Sequence, residues 1–387
     1  MASRHIPAGA ARAPSRREAA ASDPTKEHAR EYSCPGTASA CRPVQRHHHA
    51  SHPRDARLHG RGPLGDEQKG EDPSVNELTA MAAELLGKEA AVFLPSGTMC
   101  NEIALAVHSR PGDEVLTDRT AHIINYEVGG PAALSGINVR ALDGERGVFT
   151  AEQFRAAIRP ASRYAPVTSG VVIEQTSNAG GGTIWPLERI QEITGIGREH
   201  GMWAHMDGAR LLNASVASGV EPHVYAAHFD SVFVDLSKGL GAPVGGILAG
   251  TQDFIDQAWR LKQRWGGAMR QAGVIASAGV YALRHHVARL AEDHANARVL
   301  AESLASIEGL VVRPEHVDTN IVLFDVAETG LSAAEFGKRT YERFGVRVSV
   351  FGPTTVRVVT HIDVTASQVP VAVAAIGEVA AGALAAR

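Results

Sequence analysis

The chain has 387 residues, 44% hydrophobic and 21% charged, with a formal net charge of -4 at pH 7. This composition is ordinary for a globular protein, and the mild acidity argues against nucleic acid or an anionic membrane as the main partner. Its three cysteines, Cys34, Cys41 and Cys100, make no disulfide framework, so a reducing cytoplasm is the expected compartment. No apolar run is read as reaching the ~20 residues of a membrane span, and Met1 to Arg17 lacks the apolar core of a signal peptide.

Residues 1–63 are rich in Arg, Ala, His, Pro and Ser and carry eleven Lys/Arg against five Asp/Glu. They show neither a helical nor a strand period. Such a segment cannot bury enough apolar area to offset its chain entropy, so disorder is expected. The run His47-His48-His49 also suits a metal. The abundance of Arg, Ala and Ser also suits a transit peptide, against which stand Glu18, Asp23, Glu27 and Glu31.

From Leu64 the pattern becomes that of an α/β protein. A helix is predicted over Ser74–Leu86, opened by Asp72-Pro73-Ser74 with Glu77 completing a capping box on Ser74, and closed by Gly87. Strands follow at Ala90–Leu94, Glu114–Thr117, Val171–Glu174, Trp203–Met206 and Val232–Leu236. Helices are predicted at Gly97–His108, Leu187–His200 and Gln252–Trp265. Strands alternating with helices imply a mostly parallel sheet covered on both faces. A long charged helix is predicted from about Arg284 to Ser306. After it come strands at Leu310–Arg313, Asn320–Phe324, Arg347–Val350 and Val356–Val359, with helices at Ser332–Phe344 and Ala366–Leu384. The expected organisation is therefore a large α/β domain over 64–283, and a linking helix with a small α+β domain over 284–387.

Three stretches carry candidate chemistry. The apolar run Val232–Leu236 ends at Ser237-Lys238, followed by Gly239-Leu240-Gly241. A lysine there is either a surface loop residue or a Schiff-base lysine, whose desolvated amine attacks an aldehyde cofactor. Pro95-Ser96-Gly97-Thr98 lies between a strand and a helix, and reads either as a plain cap or as an anion site. Asp207 ends the strand Trp203–Met206, one strand–helix–strand unit before Lys238, and either caps a helix or faces the crevice at the sheet's carboxyl edge. A carboxylate opposite a Schiff-base lysine is the pairing that pyridoxal phosphate requires, because it keeps the pyridine nitrogen protonated.

The motifs Pro95-Ser96-Gly97-Thr98-Met99, Ala121-His122, Glu127 with Gly129-Gly130, and His205-Met206-Asp207-Gly208-Ala209-Arg210 occur in this order. They are followed by Leu236-Ser237-Lys238-Gly239-Leu240-Gly241, Gly266-Gly267-Ala268-Met269-Arg270-Gln271 and Arg357-Val358-Val359-Thr360-His361-Ile362-Asp363. Together they resemble the threonine aldolase / β-eliminating lyase family of fold type I pyridoxal phosphate enzymes, over about residues 65–385. The resemblance implies a seven-stranded, mostly parallel sheet and a small C-terminal domain. It implies pyridoxal 5'-phosphate, no metal, and cleavage of a β-hydroxy-α-amino acid of the L-threonine or L-allo-threonine type to glycine and an aldehyde. It assigns Lys238 to the cofactor aldehyde, Asp207 to the ring nitrogen, and His122 to the ring face and a candidate base. Gly97, Thr98 and Ser237 are assigned to the phosphate, Arg210 to the cofactor oxygen and substrate carboxylate, and Arg357 to the carboxylate. Arg270 is assigned to phosphate across the interface of a homodimer or homotetramer.

Two departures stand out. Where the family carries a substrate-facing histidine after the strand Val171–Glu174, this chain reads Glu174-Gln175-Thr176-Ser177-Asn178, so Ser177 takes that place. This leaves open a β-eliminating lyase or racemase acting on another amino acid. Residues 1–63 also lack the family's Ser-Asp-Thr-like start. The pattern resumes abruptly at Gly65-Asp66-Glu67, with Lys69 at a usually aromatic place. That onset fits a wrong reading frame upstream of Leu64; were the chain real as written, a catalytically impaired homologue or a non-catalytic oligomeric partner is the expectation.

Overall fold

The computed structural model describes residues 64–386; the expectations for residues 1–63 lie outside them. Helix α1 (Pro73–Leu86) leads to β1 (Ala90–Leu94), α2 (Gly97–His108), β2 (Glu114–Asp118), the short α3 (His122–Asn125) and α4 (Gly130–Ser135), β3 (Asn138–Leu142) and α5 (Ala151–Ala157). Then come β4 (Thr168–Glu174), α6 (Leu187–Glu199), β5 (Trp203–Gly208), α7 (Leu211–Ser218), α8 (Pro222–Ala226), β6 (Ser231–Asp235) and β7 (Gly246–Gly250). These strands form one seven-stranded sheet in the order β1-β7-β6-β5-β4-β2-β3. Strand β7 runs antiparallel to both neighbours, and the remaining pairings are parallel.

Every residue of β6 is buried, as expected for a central strand covered on both faces. Burying Val232, Phe233 and Val234 contributes about 1.5–3 kcal/mol each. That packing holds the carboxyl end of the strand, and the lysine loop beyond it, in place.

Helices α9 (Gln252–Arg264), α10 (Gly273–His285) and α11 (Leu290–Leu304) precede a second sheet. Its strands are β8 (Val311–Val312) and β9 (Ile321–Asp325), then, after α12 (Ala333–Phe344), β10 (Ser349–Val350) and β11 (Thr355–Val359); α13 (Val369–Leu384) closes the chain. The order is β10-β11-β9-β8, antiparallel throughout. A separate core, including Leu300, Phe324, Phe336, Val356 and Ile376, packs these elements together.

Three local readings are corrected and two strands are added. Strands β3 and β7 carried no clear signal: the first is an edge strand with two polar residues, and the second is five residues long and begins and ends in glycine. The helix expected from Arg284 is two helices, broken between His286 and Arg289. The cap of α1 is Asp72, which accepts from Ser74 N and Val75 N, with Pro73 in the first turn; Ser74 is already helical. Asp72 also accepts from Gly273 N at 2.9 Å, tying α1 to α10. Finally, residues Ala366–Leu384 are long and apolar enough to cross a membrane by length and composition. The apolar face of α13 is instead a core face, with Val369, Ala372, Ala375, Ile376, Val379 and Ala380 in the small-sheet core.

Candidate active site

The carboxyl edge of the large sheet gathers the predicted residues. Strand β1 delivers Pro95 and Ser96, and Ser96 Oγ caps α2 by accepting from Met99 N at 3.2 Å. A Cβ on Gly97 would stand 2.9 Å from the Phe233 ring and 3.4 Å from Asp235 Oδ2. Only glycine lets the start of α2 approach β6 so closely. Gly97 and Thr98 line a cavity of about 250 Å³ together with His122, Asp207, Ser237 and Lys238. Lys238 Nζ lies 3.4 Å from Asp235 Oδ2. Asp235 Oδ1 accepts from Ser237 N and Ser237 Oγ, each at 2.8 Å. Burial pushes the Asp235 carboxyl up, but the Lys238 charge and the Ser237 bonds outweigh it and hold it below the usual range.

Asp207 is held by two donors: Ala209 N at 3.1 Å to Oδ1, and Asn101 Nδ2 at 2.9 Å to Oδ2. The Asn101 amide is oriented by a buried chain of hydrogen bonds. His108 Nε2 meets Ser231 Oγ, and Ser231 Oγ meets His205 Nδ1, each at 2.8 Å; His205 Nε2 meets Asn101 Oδ1 at 3.1 Å. Burial pushes His108 down to about 4 and His205 to about 3, so both are neutral near pH 7. A neutral His205 must then donate from Nε2, because Asn101 Oδ1 only accepts, and its Nδ1 accepts a hydrogen bond from the Ser231 hydroxyl. Asn101 is left with both amide hydrogens, for Asp207 and for Glu127 Oε1, the latter at 2.8 Å. Asn101 lies one turn beyond Gly97 on α2, a spacing that puts both on one face; nothing in its type alone marked it.

Glu174, at the end of β4, accepts from His122 N at 2.8 Å and from Asn178 N at 2.7 Å. Burial, then the Asp207 charge, pushes its carboxyl up to about 7, against those two backbone bonds and the His122 charge. His122 Nδ1 is 2.8 Å from Glu127 Oε1. Burial alone would lower His122. The Glu127 hydrogen bond and the charges of Asp207 and Glu127 overcome that, against Lys238, and leave it raised.

Asn178 Oδ1 accepts from Arg210 Nη1 at 3.3 Å and from Arg357 Nη1 at 2.6 Å. One amide thus joins an arginine after β5 to an arginine on β11. His122, Glu174, Asn178, Asp207, Arg210 and Lys238 share a second, narrower recess. Ser177 stands elsewhere: its Oγ accepts from Gly180 N at 3.2 Å within the turn that returns to Thr183, and Asn178 is the residue turned to the recess. Arg270 also stands apart, 61% exposed and bonded to Asp66 Oδ2 at 2.8 Å. Sequence reasoning missed the roles of Asn101, Asn178 and Asp235; Glu127 and Glu174 appeared in motifs without a function.

The architecture is that of the fold type I enzymes. Threonine aldolase from Leishmania major superposes with a TM-score of 0.73 at 18% identity, covering 86% of this chain and 98% of that one. Serine palmitoyltransferase from Sphingomonas wittichii superposes with a TM-score of 0.67 at 18% identity, covering 85% and 83%. At such identities the likeness concerns the fold. Sequence goes further: residues 57–329 match the β-eliminating lyase family model. The low specificity L-threonine aldolase of Escherichia coli K12 is 40% identical over 307 residues, 79% of this chain and 89% of that protein. Low-specificity L-threonine aldolase 1 of Arabidopsis thaliana is 37% identical over 310 residues, 79% and 87%. The chain belongs to the threonine aldolase / β-eliminating lyase family.

Proposed function

We propose that this chain is a carbon–carbon lyase that uses pyridoxal 5'-phosphate to cleave L-threonine or L-allo-threonine to glycine and an aldehyde. The observation that carries the reading is the convergence of Lys238, Asp207 and Gly97 on one cavity. The residues fit the cofactor. A Cβ would fill the cradle at Gly97, which Thr98 and Ser237 flank with hydroxyl groups. Across the cavity, Asp207 is oriented by Asn101 and Ala209 N, ready for a ring N–H. When bound, the cofactor supplies an aldehyde for an amine and a pyridinium ring that acts as an electron sink.

The chain's own share is positioning and proton movement. Lys238 Nζ is the amine for the aldehyde; Asp235 and Ser237 orient its loop. Arg210 and Arg357, spaced by Asn178, suit the carboxylate of an amino acid. Holding that carboxylate at two points fixes rotation about the Cα bonds, and so selects the bond that breaks. His122, with Nδ1 engaged by Glu127, has Nε2 left to take the proton of a β-hydroxyl. We assign Arg270 to phosphate across a subunit interface in a homodimer or homotetramer. Ser177 acts on the substrate side only through the turn that presents Asn178. Residence in the cytoplasm and a domain boundary near 284 complete the proposal.

The test combines visible absorbance and product release. The full chain purified with pyridoxal 5'-phosphate is expected to show a cofactor band that Lys238→Ala loses, and to release glycine and acetaldehyde from L-threonine. A band that persists in Lys238→Ala removes the lysine assignment. Release of another product from another amino acid in a substrate panel overturns the threonine reading.

A further inference from the structure

Two buried carboxyl groups meet where α2 passes the turn before α4. Glu102 is 2% exposed and Glu127 is 5% exposed. Glu127 Oε1 is occupied by Asn101 Nδ2 and His122 Nδ1. Both Glu102 oxygens and Glu127 Oε2 are buried and meet no donor among the described residues, and the Glu127 carboxyl lies within hydrogen-bonding reach of the Glu102 carboxyl. Gly130 closes the remaining side: a Cβ there would overlap the Glu102 carboxyl. Ionised carboxylates only accept hydrogen bonds. Two of them in contact, away from water, repel and leave their lone pairs unmet. One proton between them resolves both problems.

We infer that Glu102 is protonated and donates to Glu127 Oε2, which makes it a positioning residue for His122. The inference rests on the reading of His122 as the group at the cofactor ring, and adds what sets its tautomer. Glu102 stays neutral. Glu127 keeps one negative charge, presented at Oε1 to the Asn101 amide and to the Nδ1 proton of His122. Nε2 is then the nitrogen left for chemistry. Burial, with the Glu127 contact and charge, pushes the Glu102 carboxyl up to about 9. The other charged groups facing this cluster are Glu174 at the end of β4, Asp207 on β5 and Lys238 after β6. None of them contributes to the Glu102 displacement.

The experiment uses the full chain purified with pyridoxal 5'-phosphate, and both readouts are independent of turnover. Infrared difference spectra at pH 7 are expected to show a deuterium-sensitive carbonyl band of a neutral acid in the native protein, absent from Glu102→Gln. Histidine NMR, with the His122 signal assigned by its loss in His122→Gln, follows the His122 midpoint. Glu102→Gln exchanges one neutral donor for another, so the midpoint should stay within about 0.3 unit. Glu102→Leu removes the donor, concentrates the Glu127 charge on His122, and should raise the midpoint by about one unit. Absence of the infrared band overturns the inference. So does a fall of about a unit or more in Glu102→Gln, the mark of a removed charge. An unchanged midpoint in a folded Glu102→Leu also overturns it; should that variant not fold, the glutamine variant decides. The visible cofactor band is scored separately, so failure of the functional reading does not masquerade as failure here.

Discussion

Arg357, on the small antiparallel sheet, donates from Nη1 to Oδ1 of Asn178, on the loop after β4 of the large sheet, at 2.6 Å. Arg210 donates to the same oxygen at 3.3 Å. A neutral amide thereby sits between two guanidinium groups that otherwise repel.

Asn178→Ala should therefore loosen the proposed carboxylate clamp. Hydrogen bonds involving a charged partner are worth about 1.5–3 kcal/mol, so KM for the amino acid should rise about 10- to 100-fold, with a smaller change in kcat and the cofactor band intact. Steady-state kinetics with L-threonine check this; an unchanged KM removes Asn178 from the clamp.

Gly97→Ala addresses the other end of the cavity. The new methyl would press on the Phe233 ring, 2.9 Å from its site, where overpacking costs about 1–3 kcal/mol. If α2 shifts to relieve it, the proposed phosphate cradle moves with it. Affinity for pyridoxal 5'-phosphate should fall tenfold or more, measured by titrating the cofactor-free protein. Full affinity would show that the cradle lies elsewhere.

Ser177→His supplies the side chain that the family resemblance leads one to expect at that place, yet it should not improve catalysis. Ser177 Oγ is bonded to Gly180 N, and a Cβ on Gly147 would overlap it, so the pocket around Ser177 is already filled. The larger ring should destabilise the fold by about 1–3 kcal/mol, read as a lower denaturation midpoint. Unchanged stability together with a lower KM for L-threonine would show that the turn opens to admit it.

Much of the site is legible in the order of residues along the chain. Lys238, Asp207 and the Ser96-Gly97-Thr98 turn sit directly at strand ends, and in a parallel sheet all strand ends share one edge. Their convergence follows from the alternation of strands and helices. The break between α10 and α11 is illegible there, because His286-Val287-Ala288-Arg289 holds no proline or glycine to mark the stop. Strand β7 is hidden inside what reads as a glycine-rich turn.

The partners of the site residues are beyond the reach of pattern. Asn101, Asn178 and Glu102 are ordinary polar residues whose meaning comes from what they face: Asp207 from α2, Arg357 from the second sheet, Glu127 from a turn. Backbone periodicity tells which side of an element a residue occupies. The chain's chemistry-bearing residue types and their sheet edge are thus readable in one dimension. Which carboxyl keeps a proton, which amide separates two arginines, and the removal of Ser177 from the recess depend on side chains from distant segments meeting where water is excluded. Burial and hydrogen-bond geometry, which no local spacing encodes, control them.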